Sequence, residues 1–409
     1  MIARKIRADE YKRVQEIAAH AFHEEFEDAE LSPKELFEQL VRDPMDREDM
    51  NWDSRWAVFD DDDKTMLSTL ITIPYQAQFD GHIVPLTGIG GVATLPQYRG
   101  QGCVRACLSA VFQALYEENA AFSYLHPFSS AFYRKFGYAP ACEKNCYRVR
   151  LAAIPDIRVS GTYRLLEAGT NFQADIERVY RAWFDRYNFM TNDEDIEYIW
   201  VRRASPFLNN VYSYIYYSAG GEPAAFMTYR AKQEAGARTL ICTRFFFVGP
   251  EGCKALLALL KKETARYDAV EFTLPVDIDL TLLLPEWRHE AVVCRREQNG
   301  MIRVIHAEQV LRSARMRGTG SLKIRVIDKL IPENNDCFAV SFQDGVTSCV
   351  KRCTEDADIT LPIRDFSLLI CGRCDMEMLP YLPEVRLCCD PEQAGKVFYR
   401  KPLYISREF

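Results

Sequence analysis

The stretch VATLPQYRGQGCVRACL, residues 92–108, constrains the fold of this chain more than any other feature of its sequence. Its apolar start predicts a strand, Pro96 ends the strand pairing, and an amphipathic helical pattern follows. Gly100 and Gly102 permit positive φ angles and a close approach to the backbone. This order directs free N–H groups and the positive end of a helix to one place. The stretch therefore predicts a diphosphate site, to which Arg99 adds positive charge.

The spacing of this glycine turn distinguishes it from other phosphate-binding loops. It has neither the G-K-[ST] of a P-loop nor the G-x-G-x-x-G of a dinucleotide site. The pattern Gln97-x-x-Gly100-x-Gly102 matches Q/R-x-x-G-x-G/A, the loop for the pyrophosphate of acyl-coenzyme A, and here the sequence resembles the GNAT N-acetyltransferase superfamily. The strand FSYLHP and the segment FYRKFGY, which follow the helix, strengthen the resemblance.

Residues 1–155 have the pattern of one layered α/β domain. Periodicity predicts a helix over residues 6–21, and SPKELFEQLV predicts a second one with Ser32 as its N-cap. An antiparallel meander follows, with hairpin turns at Asp60–Asp63 and Asp80–Gly81. After the glycine turn and its helix, we expect a short strand, a short helix and the strand ACEKNCYRVRL as the last element of this domain.

The remainder of the chain divides into two further predicted domains. Residues 239–277 repeat the order strand, proline–glycine turn, helix, strand, but the turn GPEG contains Glu251 and no arginine. We therefore expect residues 156–300 to be a degenerate second copy of the first domain. Residues 301–409 mix short strands with short helices and predict a smaller α+β domain.

This domain order, with an aromatic residue at the end, resembles the Eis (enhanced intracellular survival) family. The resemblance implies an α/β (α+β) fold of tandem GNAT domains followed by a sterol-carrier-like domain. It implies an acetyl-CoA-dependent N-acetyltransferase that acts on a primary amine, typically of an aminoglycoside and in some members of a lysine, and the acidic charge described below adds a polyamine as an acceptor type. It also implies a homo-oligomer, in particular a hexamer.

The resemblance further assigns roles to individual residues. Tyr133 aligns with the general acid of the family, and the terminal carboxylate of Phe409 aligns with its general base. Gly100 and Gln101 stand where mycobacterial members commonly have arginines, which predicts weaker cofactor affinity at the same site. Arg99 is expected at the same site because of its positive charge. The expected acetyl-CoA-binding residues are therefore Val92, Ala93, Thr94, Arg99, Gly100, Gln101, Gly102, Cys103, Val104, Arg105, Phe128 and Ser129.

These roles agree with the chemistry of acyl transfer. An ammonium group must lose a proton before it attacks a thioester, which a nearby carboxylate assists. The Tyr133 phenol, whose ordinary pKa is about 10, is protonated at neutral pH and can donate to the leaving sulfur. A strand N–H group within residues 92–94 can stabilise the oxyanion. A covalent route through Cys103 or Cys107 is the alternative, but a thiol nucleophile needs an adjacent base.

Charge indicates the kind of acceptor. The segment HEEFEDAE, residues 23–30, joins two predicted helices where GNAT folds bind their acceptors. The predicted substrate-binding residues are Glu24, Glu25, Phe26 and Glu408. Together they would attract a polycationic amine. The alternative is a solvated loop with no binding role.

Composition narrows the class of protein. The formal net charge of -7 disfavours nucleic-acid binding. No stretch reaches the roughly 20 apolar residues of a membrane helix, and the first residues lack a signal-peptide pattern. We expect a cytoplasmic protein whose 14 cysteines are reduced and mostly buried. Cys371 and Cys374 in CGRC have metal or redox spacing, but we expect no metal because a second well-spaced pair is lacking.

Two other functions stay open from the sequence. One is a protein lysine acetyltransferase that uses its second domain as a docking surface. The other is a non-catalytic protein that binds acyl-CoA or carries lipid in its last domain. A deep acidic pocket would favour a small amine acceptor, whereas a flat groove would favour a protein acceptor.

Overall fold

The structure is a computed structural model that describes residues 1–22, 54–166, 172–192, 210–234, 236–284, 291–388 and 397–407. The helix predicted at Ser32 lies outside these residues. The first elements are β1 (Ile2–Lys5), α1 (Tyr11–Ala21), β2 (Arg55–Phe59), β3 (Met66–Phe79), β4 (His82–Thr94), α2 (Cys103–Glu117), β5 (Phe122–Leu125), α3 (Ser130–Arg134) and β6 (Ala139–Pro140). They are followed by β7 (Glu143–Arg150), β8 (Thr162–Leu165), α4 (Gln173–Phe184), β9 (Val211–Tyr217), β10 (Pro223–Glu234), β11 (Ala237–Phe247), α5 (Gly249–Lys262), β12 (Ala269–Pro275) and β13 (Val292–Gln298). The last are β14 (Met301–Val304), α6 (Ala307–Ser313), β15 (Gly320–Ile327), β16 (Cys337–Gln343), β17 (Val346–Cys353), β18 (Ile359–Pro362), α7 (Ile363–Ile370) and β19 (Arg386–Leu387).

The first sheet has the strand order β1-β2-β3-β4-β5-β14-β6 and contains the glycine turn. Alternation along β2 places Trp56 and Val58 in the apolar cluster of α2, and Ala57 and Phe59 in that of α1. Helices thus cover both faces of this part of the sheet. The predicted first helix begins only at Tyr11, and the sequence analysis missed β1, which is short and pairs with β2.

The hairpin turns of the meander are confirmed. β3 and β4 pair up to Phe79 and His82, so that Asp80 and Gly81 form a two-residue turn. Both residues have positive φ, 52° and 86°, as such turns require. The turn between β2 and β3 includes Asp63, also at positive φ. These turns were predictable because their geometry depends on neighbouring residues.

Two strands are exchanged between the first and second sheets. β7, which contains most of the predicted last strand of the first domain, pairs with β12 and β13 in the second sheet instead. β14, predicted to open the third domain, lies between β5 and β6 in the first sheet. Strand pairing therefore crosses the expected domain boundaries after residues 155 and 300. The boundaries themselves stay a prediction. Alternating apolar residues identify a strand but do not select its partner.

The second sheet has the order β13-β7-β12-β11-β10-β9-β8 and confirms the predicted repeat. β11, the turn at Gly249, α5 and β12 reproduce the order of β4, the glycine turn, α2 and β5. In both copies the two strands of the unit pair in parallel. Parallel strands need such a helical crossover, which accounts for the same arrangement in both.

The third sheet, β17-β16-β15-β18-β19, packs against the first sheet. One apolar cluster contains Phe79 and Phe122 of the first sheet together with Phe338 and Phe366 of the last domain. In the described part of the chain, none of the helices combines the length and the apolar character needed to span a bilayer. The cysteines of that part are free thiols, and most of them are buried.

Candidate active site

The strands β4 and β5 separate at the site. They pair in parallel from Leu86 with Phe122 to Ile89 with Leu125. β5 then ends, while β4 continues to Thr94 on its pairing with β3. Within the described residues, no strand pairs with the other edge of β4 beyond Ile89. The peptide groups of this edge therefore face an opening between the two strands.

A β-bulge lies at this opening. Gly90 is paired with Ile71 and Ala93 with Thr69, so that Gly91 and Val92 both face a single partner residue. Gly91 has a φ of 55°, which glycine adopts at little cost. A bulge turns peptide groups away from the regular ladder. The sequence analysis did not identify it, although two glycines inside a strand are a recognised signal.

The glycine turn has the backbone conformation that the sequence predicts. Gly100 and Gly102 have φ of 79° and 86°, and Gly102 is the N-cap of α2. A Cβ atom at either position would meet nothing within 4 Å, so the space beside the turn is open. The first helical hydrogen bond runs from the N–H of Ala106 to Gly102. The amides of Cys103, Val104 and Arg105 precede it and are available to an anion.

Two arginines flank this helix N-terminus. The Nε atom of Arg99 donates to the carbonyl of Thr94 at 3.2 Å, which holds Arg99 against the end of β4. The guanidinium of Arg105 lies 5.2 Å from the ring centre of Phe136, a cation–π distance. Gln101 donates to the carbonyl of Gln97 at 3.0 Å and closes the turn. Positive charge and free amides therefore lie together at the start of α2.

The cysteines of α2 do not have the surroundings of a nucleophile. Burial raises the pKa of the Cys103 thiol and that of the fully buried Cys107. The Cys103 thiol lies 3.6 Å from the carbonyl of Tyr98 and 3.8 Å from the sulfur of Met1. Since a thiolate is the reactive form, this environment argues against the acyl-cysteine route.

Tyr133 lies on α3 inside a group of aromatic rings. Its ring centre is 5.4 Å from that of Phe128, 5.1 Å from Phe132 and 6.1 Å from Tyr138. The same apolar cluster contains Leu125, at the point where β4 and β5 separate. Burial raises the pKa of Tyr133 to about 12. Within the described residues its hydroxyl forms no hydrogen bond, so the proton is available to a ligand.

The residues before Tyr133 have different positions. The hydroxyl of Ser129 accepts a hydrogen bond from the N–H of Phe132 at 3.3 Å and caps α3. Phe128 is 75% exposed, although it is a large apolar side chain beside the opening. Such a side chain next to a cleft is suited to contact a ligand.

The C-terminal segment reaches the end of β5. The main-chain oxygen of Arg407 accepts a hydrogen bond from Nε2 of His126, 3.1 Å away, and His126 directly follows β5. Two residues earlier, the carbonyl of Ile405 accepts from the side chain of Asn299 at 2.8 Å. Outside the described residues lie the predicted base and the predicted substrate-binding residues: Glu24, Glu25, Phe26, Glu408 and Phe409.

In the described residues of the second copy, aromatic rings lie at the corresponding place. β11 and β12 separate after Ile241 and Glu271, and the rings of Phe245 and Phe272 stack there with centres 4.5 Å apart. At the start of α5, Glu251 accepts a hydrogen bond from Tyr216 at 2.8 Å. Aromatic rings therefore fill the place of the opening, and a carboxylate stands where a phosphate would bind.

Metal coordination has no obvious location in the described residues, where no cluster of three or more His, Cys, Asp or Glu side chains is arranged to hold an ion. Cys371 is fully buried, and Cys374 lies 3.3 Å from the carbonyl of Asp375. The CGRC motif is thus placed between α7 and the following turn.

Comparisons with known proteins agree with this geometry. Models of the GNAT acetyltransferase domain match residues 3–141 and 181–304, and a sterol carrier protein domain model matches residues 308–404. The chain is therefore an acetyltransferase of the GNAT class, a class that generally uses acetyl-CoA. Its two acetyltransferase domains followed by a sterol-carrier domain have the order that the sequence analysis associated with the Eis family.

Several solved structures share the whole fold. A probable N-acyltransferase from Enterococcus faecalis is 20% identical with a TM-score of 0.82, covering 100% of this chain and 99% of its own. A GCN5-related N-acetyltransferase from Anabaena variabilis is 18% identical with a TM-score of 0.83, and Eis1 from Mycobacterium abscessus is 16% identical with a TM-score of 0.76. Each of these two matches covers 100% of this chain and 100% of the other chain. No curated protein sequence matches the chain.

Proposed function

We propose that this protein transfers the acetyl group of acetyl-CoA directly to a primary amine of a small polycation, of polyamine or aminoglycoside type. Tyr133 is the general acid and the terminal carboxylate of Phe409 is the general base. The observation that carries the proposal is the hydrogen bond from His126 to Arg407, which holds the C-terminal segment at the end of β5, where β4 and β5 separate.

Acetyl-CoA binding is supported by the geometry of β4 and α2. The pyrophosphate binds the free amides at the start of α2, with charge from Arg99 and Arg105. The pantetheine arm lies along the open edge of β4, where residues 92–94 offer peptide groups, and beside Phe128 and Ser129. The bulge at Gly91 directs an N–H group to the thioester oxygen and stabilises the oxyanion.

The proton donor and acceptor follow from their surroundings. The substrate ammonium gives one proton to the carboxylate, and the resulting amine attacks the thioester carbon. The tetrahedral intermediate then collapses, the C–S bond breaks, and the thiolate takes a proton from Tyr133, while the amide nitrogen releases its second proton, which restores the tyrosine. Phe409 is two residues beyond Arg407 in the sequence, and the hydrogen bond of Arg407 to His126 at the end of β5 supports the role proposed for the terminal carboxylate.

The acceptor is proposed from charge. Glu24, Glu25 and Glu408 are three carboxylates near the predicted acceptor region, and Phe26 adds an apolar surface. The net charge of -7 also favours the approach of a polycation. We expect the amide variants Glu24→Gln and Glu25→Gln to raise KM for a polyamine and not KM for acetyl-CoA.

The test replaces the terminal carboxylate without a change in shape. Ligation at Cys389 joins synthetic residues 389–409, which end in a carboxylate or in a neutral carboxamide. The measurement is thiol release from acetyl-CoA with a panel of polyamines and aminoglycosides. We expect the carboxamide to lower kcat about 100-fold while acetyl-CoA binding is retained. Equal turnover of the two ligated chains would exclude the base role of the terminus.

The assembly and location complete the proposal. We propose a cytoplasmic homo-oligomer, with the hexamer as the state that the family resemblance implies. Mass photometry of the purified chain measures this directly. A purely monomeric chain with full activity would show that the site needs no partner subunit.

A further inference from the structure

Asp80, at the turn between β3 and β4, is a buried charge that faces away from solvent. Its side chain and that of Lys401 are each only 5% exposed, and Nζ of Lys401 lies 2.5 Å from its carboxylate. The same carboxylate accepts from the N–H of Arg315 at 2.7 Å and from the side chain of Asn188 at 2.9 Å. Several donors therefore compensate the cost of burying this charge.

This contact, which we name the Asp80 clasp (Asp80, Asn188, Arg315 and Lys401), joins all three domains. Asp80 belongs to the first acetyltransferase domain and Asn188 to the second. Arg315 and Lys401 belong to the sterol-carrier domain. The main chain of Asp80 takes part in the same contact. Its N–H donates to the side chain of Asn188 at 2.9 Å, and its carbonyl accepts from Nε of Arg315 at 3.0 Å.

The chain beyond Lys401 is held along its length from this point. Asn188 donates its N–H to the carbonyl of Pro402 at 3.0 Å and accepts from the N–H of Tyr404 at 3.1 Å. The ring of Tyr404 packs on Trp183, with centres 5.6 Å apart. Further along, the segment bonds to Asn299 and then to His126. Lys401 itself also donates to the carbonyl of Ile370 at 3.0 Å.

The direction of this segment connects the clasp to chemistry. It starts at the hairpin end of β4 and finishes beside the end of β5, where the opening lies. Arg407 is six residues beyond Lys401, a stretch that in extended form spans about 20 Å. Asn188 belongs to the clasp and also bonds to Pro402 and Tyr404, so loss of the clasp would loosen the segment that leads to the last residues. Misplacement of a reacting group by about 1 Å can cost about 100-fold in rate.

We propose that the Asp80 clasp is the device that places the C-terminal carboxylate at the acyl-transfer site, which makes Asp80 and Lys401 positioning residues of the reaction. This inference rests on the proposed base role of Phe409. On this inference, the sterol-carrier domain anchors the segment that leads to the proposed base.

The test compares Lys401→Met with Arg400→Met in the full-length chain. Arg400 is the preceding residue and forms a surface ion pair with Asp375 at 2.8 Å, with its side chain 59% exposed. The first readout is the rate at which carboxypeptidase removes the C-terminal phenylalanine. We expect about tenfold faster removal from Lys401→Met and an unchanged rate from Arg400→Met, because the protease acts on the released segment.

The second readout is the division between kcat and KM. Lys401→Met is expected to lower kcat about 100-fold and to leave KM for acetyl-CoA unchanged, since the cofactor loop is remote from the clasp. If Lys401→Met does not fold, the double variant Asp80→Asn with Lys401→Met takes its place and leaves no buried charge. Asn tolerates the positive φ of the turn.

The two readouts separate the clasp from the proposed function. Carboxypeptidase removal needs no catalysis, so it tests the anchoring even if the unmodified chain acetylates none of the amines tested. Folded Lys401→Met whose terminus is removed no faster than in the unmodified chain would overturn the inference. Faster removal with an unchanged kcat would overturn the positioning role as well as the base role of Phe409.

Discussion

At the scale of single residues, the surroundings of Tyr133 distinguish it from the neighbouring Tyr138. Its ring is packed by Phe128, Phe132 and Tyr138, and burial raises its pKa to about 12. Tyr138, by contrast, uses its hydroxyl in a buried hydrogen bond to Ser123 at 2.6 Å. Two neighbouring tyrosines thus differ in their hydroxyl groups. That of Tyr138 forms a buried hydrogen bond, and that of Tyr133 forms none within the described residues.

Tyr133→Phe is expected to reduce activity without loss of stability. It keeps the ring and removes only the proton donor, so kcat should fall about 100-fold with KM for acetyl-CoA unchanged. Tyr138→Phe is the matched control, and it should lower the free energy of unfolding by about 1 kcal/mol because its hydrogen bond is lost. Steady-state kinetics and thermal melts check both. Full turnover by Tyr133→Phe would remove Tyr133 from the mechanism.

The pH dependence of kcat gives a second check of this residue. The acid must be protonated, and a pKa raised to about 12 keeps it protonated through pH 10. We therefore expect no alkaline decrease of kcat between pH 8 and pH 10 from this group, whereas an ordinary tyrosine would begin to lose its proton there. Measurements of kcat from pH 8 to pH 10 test this expectation. A decrease in kcat centred near pH 9 to 10 that Tyr133→Phe abolishes would contradict it.

At the scale of elements, the same strand–turn–helix–strand unit occurs twice with different consequences. In the first copy, the turn places Gly102 at a φ of 86° with open space beside it, and the strands separate around a bulge. In the second, a Cβ atom on Gly252 would lie 2.2 Å from the carbonyl of Ala224, so α5 packs directly on the neighbouring strand. Fold similarity alone therefore does not create a second site.

Gly102→Ala should separate backbone strain from cofactor binding. Alanine at this φ costs about 1–2 kcal/mol, and the strained turn moves the amides that bind the pyrophosphate. KM for acetyl-CoA is expected to rise about tenfold, which corresponds to a loss of about 1.4 kcal/mol of binding free energy. Gly221, with a φ of 80° and likewise open space, is the control in the second domain. Gly221→Ala should lose similar stability with KM unchanged, and an equal KM for both variants would contradict the phosphate site.

At the scale of the whole molecule, buried charge pairs join the domains. Arg303 and Asp328 are each 1% exposed, and Arg303 on β14 reaches Asp328 of the last domain at 2.6 Å. Arg303 also donates to the carbonyl of Phe136 at 3.0 Å, in the segment that follows α3. The exchanged strand β14 thus connects the last domain to the segment that contains Tyr133.

Arg303→Met is expected to destabilise the chain strongly. It leaves the carboxylate of Asp328 buried without its cation, which costs about 3–5 kcal/mol. The exposed pair of Arg148 with Glu271 is the control, and Arg148→Met should change the free energy of unfolding by less than about 1 kcal/mol. Denaturant unfolding measures both. Similar small changes in the two variants would show that the buried pair does not hold the domains together.

Sequence and tertiary structure determined different parts of this protein. The glycine turn, the hairpin at Asp80 and the repeated unit were predictable, because φ preferences and apolar periodicity act between residues that are close in the chain. The strand exchange of β7 and β14 was not, because a strand's pattern does not name its partner. Nor was the Asp80 clasp, whose residues 80, 188, 315 and 401 meet only when the three domains pack. The sequence determined the chemistry of the loop, whereas the packing of the three domains decided where residues 401–407 lie.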